Sequence, residues 1–237
     1  VQVVDYGAAP EGAWFDPALL AFLEAPGRGI TNLAGLEHCT GLASATLSGN
    51  AISDVSPLRG LKLLQQLDLA TNRIRDLSPL GTLPALQYLQ LEFNKVSDLS
   101  PLAPLTNLTS LYVSGNQITS LLTLTNNVRL GTLAVSHNRL KSLEGIETLK
   151  RLHSVSAAGN KIKDVTPVSG LRDLTWLDLS KNGIRNLSPL YRAVTNDLKG
   201  RGEWAPFLRS RLQDNPLTSK SKILLEEMRK AGLPPER

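Results

Sequence analysis

Residues 63–80 read LLQQLDLATNRIRDLSPL, and the stretch recurs at a fixed period. One period further on stands LQYLQLEFNKVSDLSPL (86–102), then LTSLYVSGNQITSLLTL (108–124), LGTLAVSHNRLKSLEGI (130–146), LHSVSAAGNKIKDVTPV (152–168) and LTWLDLSKNGIRNLSPL (174–190). Asn50, Asn72, Asn94, Asn116, Asn138, Asn160 and Asn182 mark the constant step. A fixed period of this length defines a solenoid, whose units bury their apolar sides only by stacking on their neighbours.

The period also sets the local structure. In a short strand through Leu67, Asp68 and Leu69, the two leucines face one side and the intervening residue the other. Identical strands stacked in parallel lie about 4.8 Å apart. Each asparagine follows a strand, where backbone groups turn inward. Its amide donates and accepts, so it suits the groups of its own turn and of the next. The seven asparagines are therefore assigned to structure. Ser56-Pro57, Ser78-Pro79, Ser100-Pro101 and Ser188-Pro189 predict a serine cap followed by a proline-set first turn. Two copies depart: TSLLTL after Asn116 and KSLEGI after Asn138 lack the proline, and Asn127 stands where Leu105 stood one repeat earlier. A looser or differently turned backbone is expected there.

The pattern Leu-x-x-Leu-x-Leu-x-x-Asn-x-Ile/Leu-x-x-Leu resembles the leucine-rich-repeat family. Its DLSPL or DVSPL tail resembles the 22-residue class of bacterial internalins. The resemblance covers roughly residues 28–217. It implies an α/β fold: a right-handed leucine-rich-repeat solenoid with a parallel concave sheet, short helical or 3-10 convex turns, and helical caps at both ends. The expected division is an N-terminal helical cap at 1–27, repeats over 28–190, and an irregular last repeat with a C-terminal helical cap at 191–237.

Residues at both ends support that division. Asp16-Pro17 predicts a helix start. The following ALLAFLEA offers Leu19, Leu20, Phe22 and Leu23 as a lid over the first repeat. Arg28 replaces the asparagine of a degenerate first copy. Register breaks after Leu190, because the next asparagine in the series is Asn215, half a period later than the step from Asn182 requires. The insertion predicts a longer helix, a glycine loop near Gly200 and Gly202, a cap core with Trp204 and Phe207, and a final strand around 209–213. SKILLEEMRKAGL then predicts an amphipathic helix with Ile223, Leu224, Leu225 and Met228 as candidates for its buried face.

Composition narrows the class. The 237 residues are 41% hydrophobic with a mean hydropathy of −0.09. There is no run of about 20 apolar residues, so no membrane-spanning helix is expected. VQVVDYGAAP at the start lacks the basic and apolar regions of a signal peptide. The chain begins without Met, so export stays open. A single cysteine excludes an internal disulfide framework. Cys39 occupies the position of Leu61, Leu83 and Leu105, which reads as a small buried hydrophobe. The net charge is +5, and it resides from Gly183 onward, where eleven bases face six acids. Such an end suits nucleic acid or anionic membrane, but a solvated cap explains it more simply.

The concave face follows from strand parity. Its positions are mostly Ser, Thr and Ala, against which stand Tyr88, Tyr112 and Trp176, with Phe93 and His137 just beyond the strands. Exposed aromatics concentrate at interface hot spots. The expected partner-binding set is Tyr88, Tyr112 and Trp176 as anchors, joined by Phe93, Gln66 and Gln90. Asp68, Glu92 and Asp178 would tune specificity by charge.

Catalysis finds no footing. Asp68 and Asp178 are five repeats apart, roughly 24 Å at strand spacing, whereas paired carboxylates act across about 5–10 Å. His38, His137 and His153 have no partner at metal-ligand spacing. The glycines at 200 and 202 lack the lysine of a phosphate loop. The expectation is a non-enzymatic, cofactor-free monomer recognising a protein partner, leaning towards a bacterial secreted or cell-envelope location with the cytoplasm open. Three alternatives stand beside it. One is an intracellular regulator or scaffold, since KSLEGIETLKRL resembles repeats of phosphatase regulatory subunits. The others are a basic-end binder of nucleic acid or anionic membrane, and a spacer within a larger protein.

Overall fold

In the computed structural model, residues 16–200 and 202–233 are described. Nine three-residue strands form one open parallel sheet in chain order. They are β1 (Phe22–Glu24), β2 (Ser44–Thr46), β3 (Gln66–Asp68), β4 (Tyr88–Gln90), β5 (Ser110–Tyr112), β6 (Thr132–Ala134), β7 (Ser154–Ser156), β8 (Trp176–Asp178) and β9 (Arg209–Arg211). Leu67 lies opposite Leu89, Leu89 opposite Leu111, and Leu111 opposite Leu133, so neighbouring strands pair one repeat apart.

The middle residue of every strand is buried, and a 3-10 turn brings a second apolar side chain to the same core. Leu58, Leu80, Leu102, Leu124, Ile146 and Val168 fill that second row. Each buried leucine is worth about 1.5–3 kcal/mol, and the stack of repeats is what removes it from water. No helix among the described residues is long and apolar enough to cross a membrane.

The asparagines fasten the stack. Asn94 donates to the carbonyls of Leu69 at 2.9 Å and Leu91 at 3.1 Å, and its Oδ1 accepts from the Ile74 N–H at 2.9 Å. Asn72, Asn116, Asn138 and Asn160 repeat this arrangement. Each amide therefore satisfies backbone of its own repeat and of the preceding one.

The turn cap is the aspartate and not the expected serine. Asp54, Asp76 and Asp98 accept the N–H of Ser56, Ser78 and Ser100 at 2.8 Å. Asn186 does the same for Ser188 at 3.0 Å. A short side-chain acceptor two positions ahead of the N–H it binds makes an Asx turn, so the serine falls inside the turn. Of the two divergent copies the first keeps the regular turn, and the second is turned differently, through Gly145 in the left-handed region. The hydroxyls of Ser120 and Ser142 replace the carboxylate, and 3-10 turns form at Leu122–Leu124 and Ile146–Thr148. Asn127 is fully buried and donates to the carbonyls of Leu102 at 3.1 Å and Leu105 at 2.8 Å.

The N-terminal end differs from the expected helix. Asp16 caps as anticipated, accepting the Ala18 N–H at 2.9 Å, but only a 3-10 turn at Pro17–Leu19 follows. The chain then enters β1, where Leu23 points inward and Phe22 and Glu24 point out. Leu19 and Phe22 are exposed and form no lid. So short a segment makes a poor helix, whereas the edge of β2 offers unpaired backbone. The ladder takes it: Ala43 and Ser44 donate to Ala21, Ala25 donates to Thr46, and Gly27 donates to Ser48. Residues 1–15 of the expected cap lie outside the described residues.

At the other end, α1 (Ser188–Lys199) replaces the 3-10 turn of its repeat. Asp197 on α1 gathers the returning loop by accepting the N–H groups of Trp204 at 3.2 Å and Ala205 at 2.9 Å. Trp204 is buried as expected, but Phe207 is 63% exposed, because its turn buries Ala205 and Leu208 instead. On α2 (Ser219–Lys230) the inward stripe is Ser221, Leu225 and Met228, at helical spacing. Ile223 falls on the opposite side and is 60% exposed. Ser221 is satisfied by donating to the Arg185 carbonyl at 2.8 Å.

Candidate binding face

The outward side of the sheet is assembled from alternate residues of each strand. Tyr88 and Gln90 project together from β4, and Glu92 follows at the next outward position. Asp68 and Tyr112 stand opposite Gln90 on either side, and Gln66 stands opposite Tyr88. The Tyr88 and Tyr112 rings pack at a centroid distance of 5.4 Å and an angle of 45°, within the range of favourable tilted aromatic pairs. Gln90 Nε2 donates to Glu92 Oε2 at 3.2 Å, while the buried Gln90 Oε1 has no donor among the described residues. Asp68 accepts the Ala70 N–H at 2.9 Å. Neither Asp68 nor Glu92 forms an ion pair among the described residues. Burial, and then the neighbouring Tyr112, Asp68 and Glu92, push the Tyr88 phenol above its ordinary pKa and hold it neutral at physiological pH.

Phe93 sits at the rim of this cluster in the left-handed backbone region, at φ +56°. The equivalent position is Gly49, Thr71, Gly115, His137, Gly159 and Lys181 in other repeats, all with positive φ. A side chain in this conformation costs about 1–2 kcal/mol. Phe93 is nevertheless 60% exposed, and its ring lies over Gly115 so closely that a Cβ there would come within 2.6 Å of Cδ1. His137 covers Gly159 in the same way.

Trp176 and Asp178 are elsewhere. They project from β8, four strands from β4, about 19 Å at the usual spacing, and they are already engaged. Trp176 Nε1 donates to Ser156 Oγ at 3.2 Å. The guanidinium of Arg211, on β9, lies 4.9 Å from the Trp176 ring centre and 3.9 Å from the Asp178 carboxylate. Asp178 also accepts from the N–H and hydroxyl of Ser180. The sheet thus brings Gln66, Asp68, Tyr88, Gln90, Glu92, Phe93 and Tyr112 into one region and sets Trp176 and Asp178 apart from it.

Two outward residues escape the sequence reading. Phe22, 72% exposed, and Glu24 extend the face onto β1. One period before Ala45 and Leu47 stand Leu23 and Ala25, the inward pair that reveals this strand. Among the described residues, no group of three or more His, Cys, Asp or Glu side chains is placed to hold a metal ion.

Known proteins share this architecture. The model of the family described as Leucine Rich repeats (2 copies) matches residues 40–82 and 84–126, and the open parallel sheet with its short 3-10 turns is a leucine-rich-repeat solenoid. The crystal structure of internalin C2 from Listeria monocytogenes superposes with a TM-score of 0.73 at 28% identity, over 85% of this chain and 81% of that one. That of an internalin (inlF) from the same organism gives 0.67 at 26% identity, over 90% and 79%. A leucine-rich-repeat protein of Leptospira interrogans, at 20% identity, gives 0.71 over 85% of this chain and 56% of its own, a likeness of fold. No curated protein matches the chain in sequence. Within its class, the protein is internalin-like.

Proposed function

We propose that this protein is a non-enzymatic recognition module that binds a protein partner through the concave side of its sheet. The observation that carries the reading is the Tyr88–Tyr112 ring pair, with exposed Phe93 over Gly115 on the following turn, on a face otherwise built largely of Ser, Thr and Ala. Large aromatics in the open contribute most where a partner covers them. The exposure of Phe93 supports the same reading, since a large apolar side chain left in water gains by being covered. Tyr88 and Tyr112 serve as central anchors, Asp68 and Glu92 set charge preference, and Trp176 with Asp178 forms a second contact region. The likeness to Listeria internalins favours an exported bacterial protein.

The test is affinity capture from the native source, with mass spectrometry. Wild type is compared with a Tyr88→Ala, Tyr112→Ala, Trp176→Ala variant whose fold is verified by amide exchange. A protein retained by wild type and lost by the variant supports the reading and identifies the partner. Equal retention by both refutes it.

A further inference from the structure

The outward side of β1 to β8 is charged in one sense only. At the alternate outward positions of each strand and the one following it stand Glu24, Asp68, Glu92 and Asp178 and no lysine or arginine; the cations come at the far end, Lys181 at the phase of Phe93 and Arg209 and Arg211 on β9. At the β8–β9 end the molecule supplies the missing charge itself. Arg211 stacks on Trp176 and faces Asp178, so an aromatic ring and a carboxylate share one guanidinium. The ring quadrupole and the anion both favour a cation, and the planar guanidinium satisfies both.

The same elements recur at β3–β5 without a cation. Tyr88 and Tyr112 supply the rings, and Asp68 and Glu92 the carboxylates, with no ion pair to either among the described residues. Gln90 lies between them and gives its side-chain N–H to Glu92, while its Oε1 has no donor among the described residues. Burial is the first cause of the raised Tyr88 pKa, and Tyr112, Asp68 and Glu92 add to it in that order. This half of the face is an acidic and aromatic surface to which the described residues bring no counter-charge.

We infer that the β3–β5 surface receives an arginine side chain of the protein partner, stacked on the Tyr88–Tyr112 pair and flanked by the Asp68 and Glu92 carboxylates. The inference rests on the concave-face reading above and specifies the chemistry of what binds there. Arginine is favoured over lysine because Arg211 already makes both contacts with one planar group, which an ammonium does not match.

The test uses a defined probe, the peptide acetyl-GSRGSRGSR-amide, titrated into the whole chain while backbone amides are followed by NMR. The control peptide carries citrulline in place of arginine, which keeps the shape and removes the charge. The expected result is saturable shifts of amides 66–70, 88–92 and 110–112 with the arginine peptide and not with the control. An Asp68→Asn, Glu92→Gln variant should bind about tenfold more weakly. These substitutions are near-isosteric, so the fold survives them. Equal binding of the citrulline peptide, an unchanged affinity in the variant, or shifts mapping elsewhere would overturn the inference. The capture experiment separates the two proposals. A partner lost by the aromatic variant but retained by Asp68→Asn, Glu92→Gln defeats the arginine site and spares the concave-face reading. A partner retained by the aromatic variant defeats the reading itself.

Discussion

Asn116→Ala removes a rung from the middle of the asparagine ladder. Asn116 is buried; its Oδ1 accepts the Val96 N–H at 2.9 Å, and its Nδ2 donates to the carbonyls of Leu91 at 2.9 Å and Val113 at 3.0 Å. The two carbonyls keep other partners after truncation, because Asn94 also donates to Leu91 and Asn138 to Val113. The Val96 N–H, between two repeats, keeps none among the described residues. An orphaned buried donor costs about 1–3 kcal/mol, and each weakened carbonyl about 0.5–1.5 kcal/mol. The expected destabilisation is about 2–6 kcal/mol. Asn50→Ala is the control, since Asn50 sits near the sheet edge, half-buried, where water replaces part of what is lost. Its effect should stay below about 2 kcal/mol. Urea unfolding with linear extrapolation gives the difference. Amide exchange at Val96 shows whether the opening is local, as repeat arrays allow. A loss below about 1 kcal/mol at Asn116, or equal losses at the two positions, would refute the shared-rung argument.

Four further outcomes follow from the geometry. Gly115→Ala adds both a strained backbone at φ +69° and a clash with the Phe93 ring. Thermal melts should therefore show a larger loss in wild type than in a Phe93→Gly background, with a coupling of about 1 kcal/mol. Phe93→Gly alone relieves the left-handed strain and should raise stability by about 1 kcal/mol while weakening partner binding; a fall in melting temperature would show that ring packing outweighs the strain. Burial, and then the Glu37 charge, raise the Cys39 thiol pKa, so a thiol reagent at pH 8 should modify the native protein at least about tenfold more slowly than the urea-unfolded chain. The hydroxyls and then the N–H groups of Ser78 and Ser100 hold the carboxyls of Asp76 and Asp98 below the usual range. With the folded pKa depressed, their stabilisation is present above the unfolded carboxylate value and disappears as pH falls through the folded one. Ser78→Ala and Ser100→Ala should return both carboxyls towards the ordinary value in an NMR titration and flatten the acid limb of the stability curve.

The repeats are legible in the sequence because one physical requirement recurs at each step: Leu67, Leu89 and Leu111 meet the same neighbours in the same register. Strand parity likewise places Asp68, Tyr88, Gln90 and Tyr112 on the outward side. Phe22–Glu24 reads wrongly as helix because ALLAFLE satisfies a helical pattern and a strand pattern equally, and only the open edge of β2 decides between them. Ile223 is misplaced by sequence because hydrophobicity alone does not phase a helix; the hydrogen bond from Ser221 to Arg185 does. The engagement of Trp176 by Arg211 depends on β9 pairing with β8 across a longer connection, which the local pattern around Trp176 does not contain. The left-handed position of Phe93 is foreshadowed by the glycines at 49, 115 and 159, which occupy the same phase.

The strand register advances by one constant period from β1 through β8, Phe22 to Ser44 and onward to Trp176, and by half as much again into β9, where Trp176 meets Arg209. Length in this molecule is consequently quantised. Deleting residues 73–94 would join Asn72 to Lys95 in phase, leave the pairing scheme of the remaining strands intact, and shorten the sheet by one spacing of about 4.8 Å. A deletion one position shorter would leave one repeat a residue too long, an excess that its convex turn would have to absorb as the longer connection before β9 does. The in-phase deletion also carries away Tyr88, Gln90, Glu92 and Phe93 together. The outward face is therefore modular along the chain: duplication or loss of one cassette edits what the face presents without a new fold having to be found.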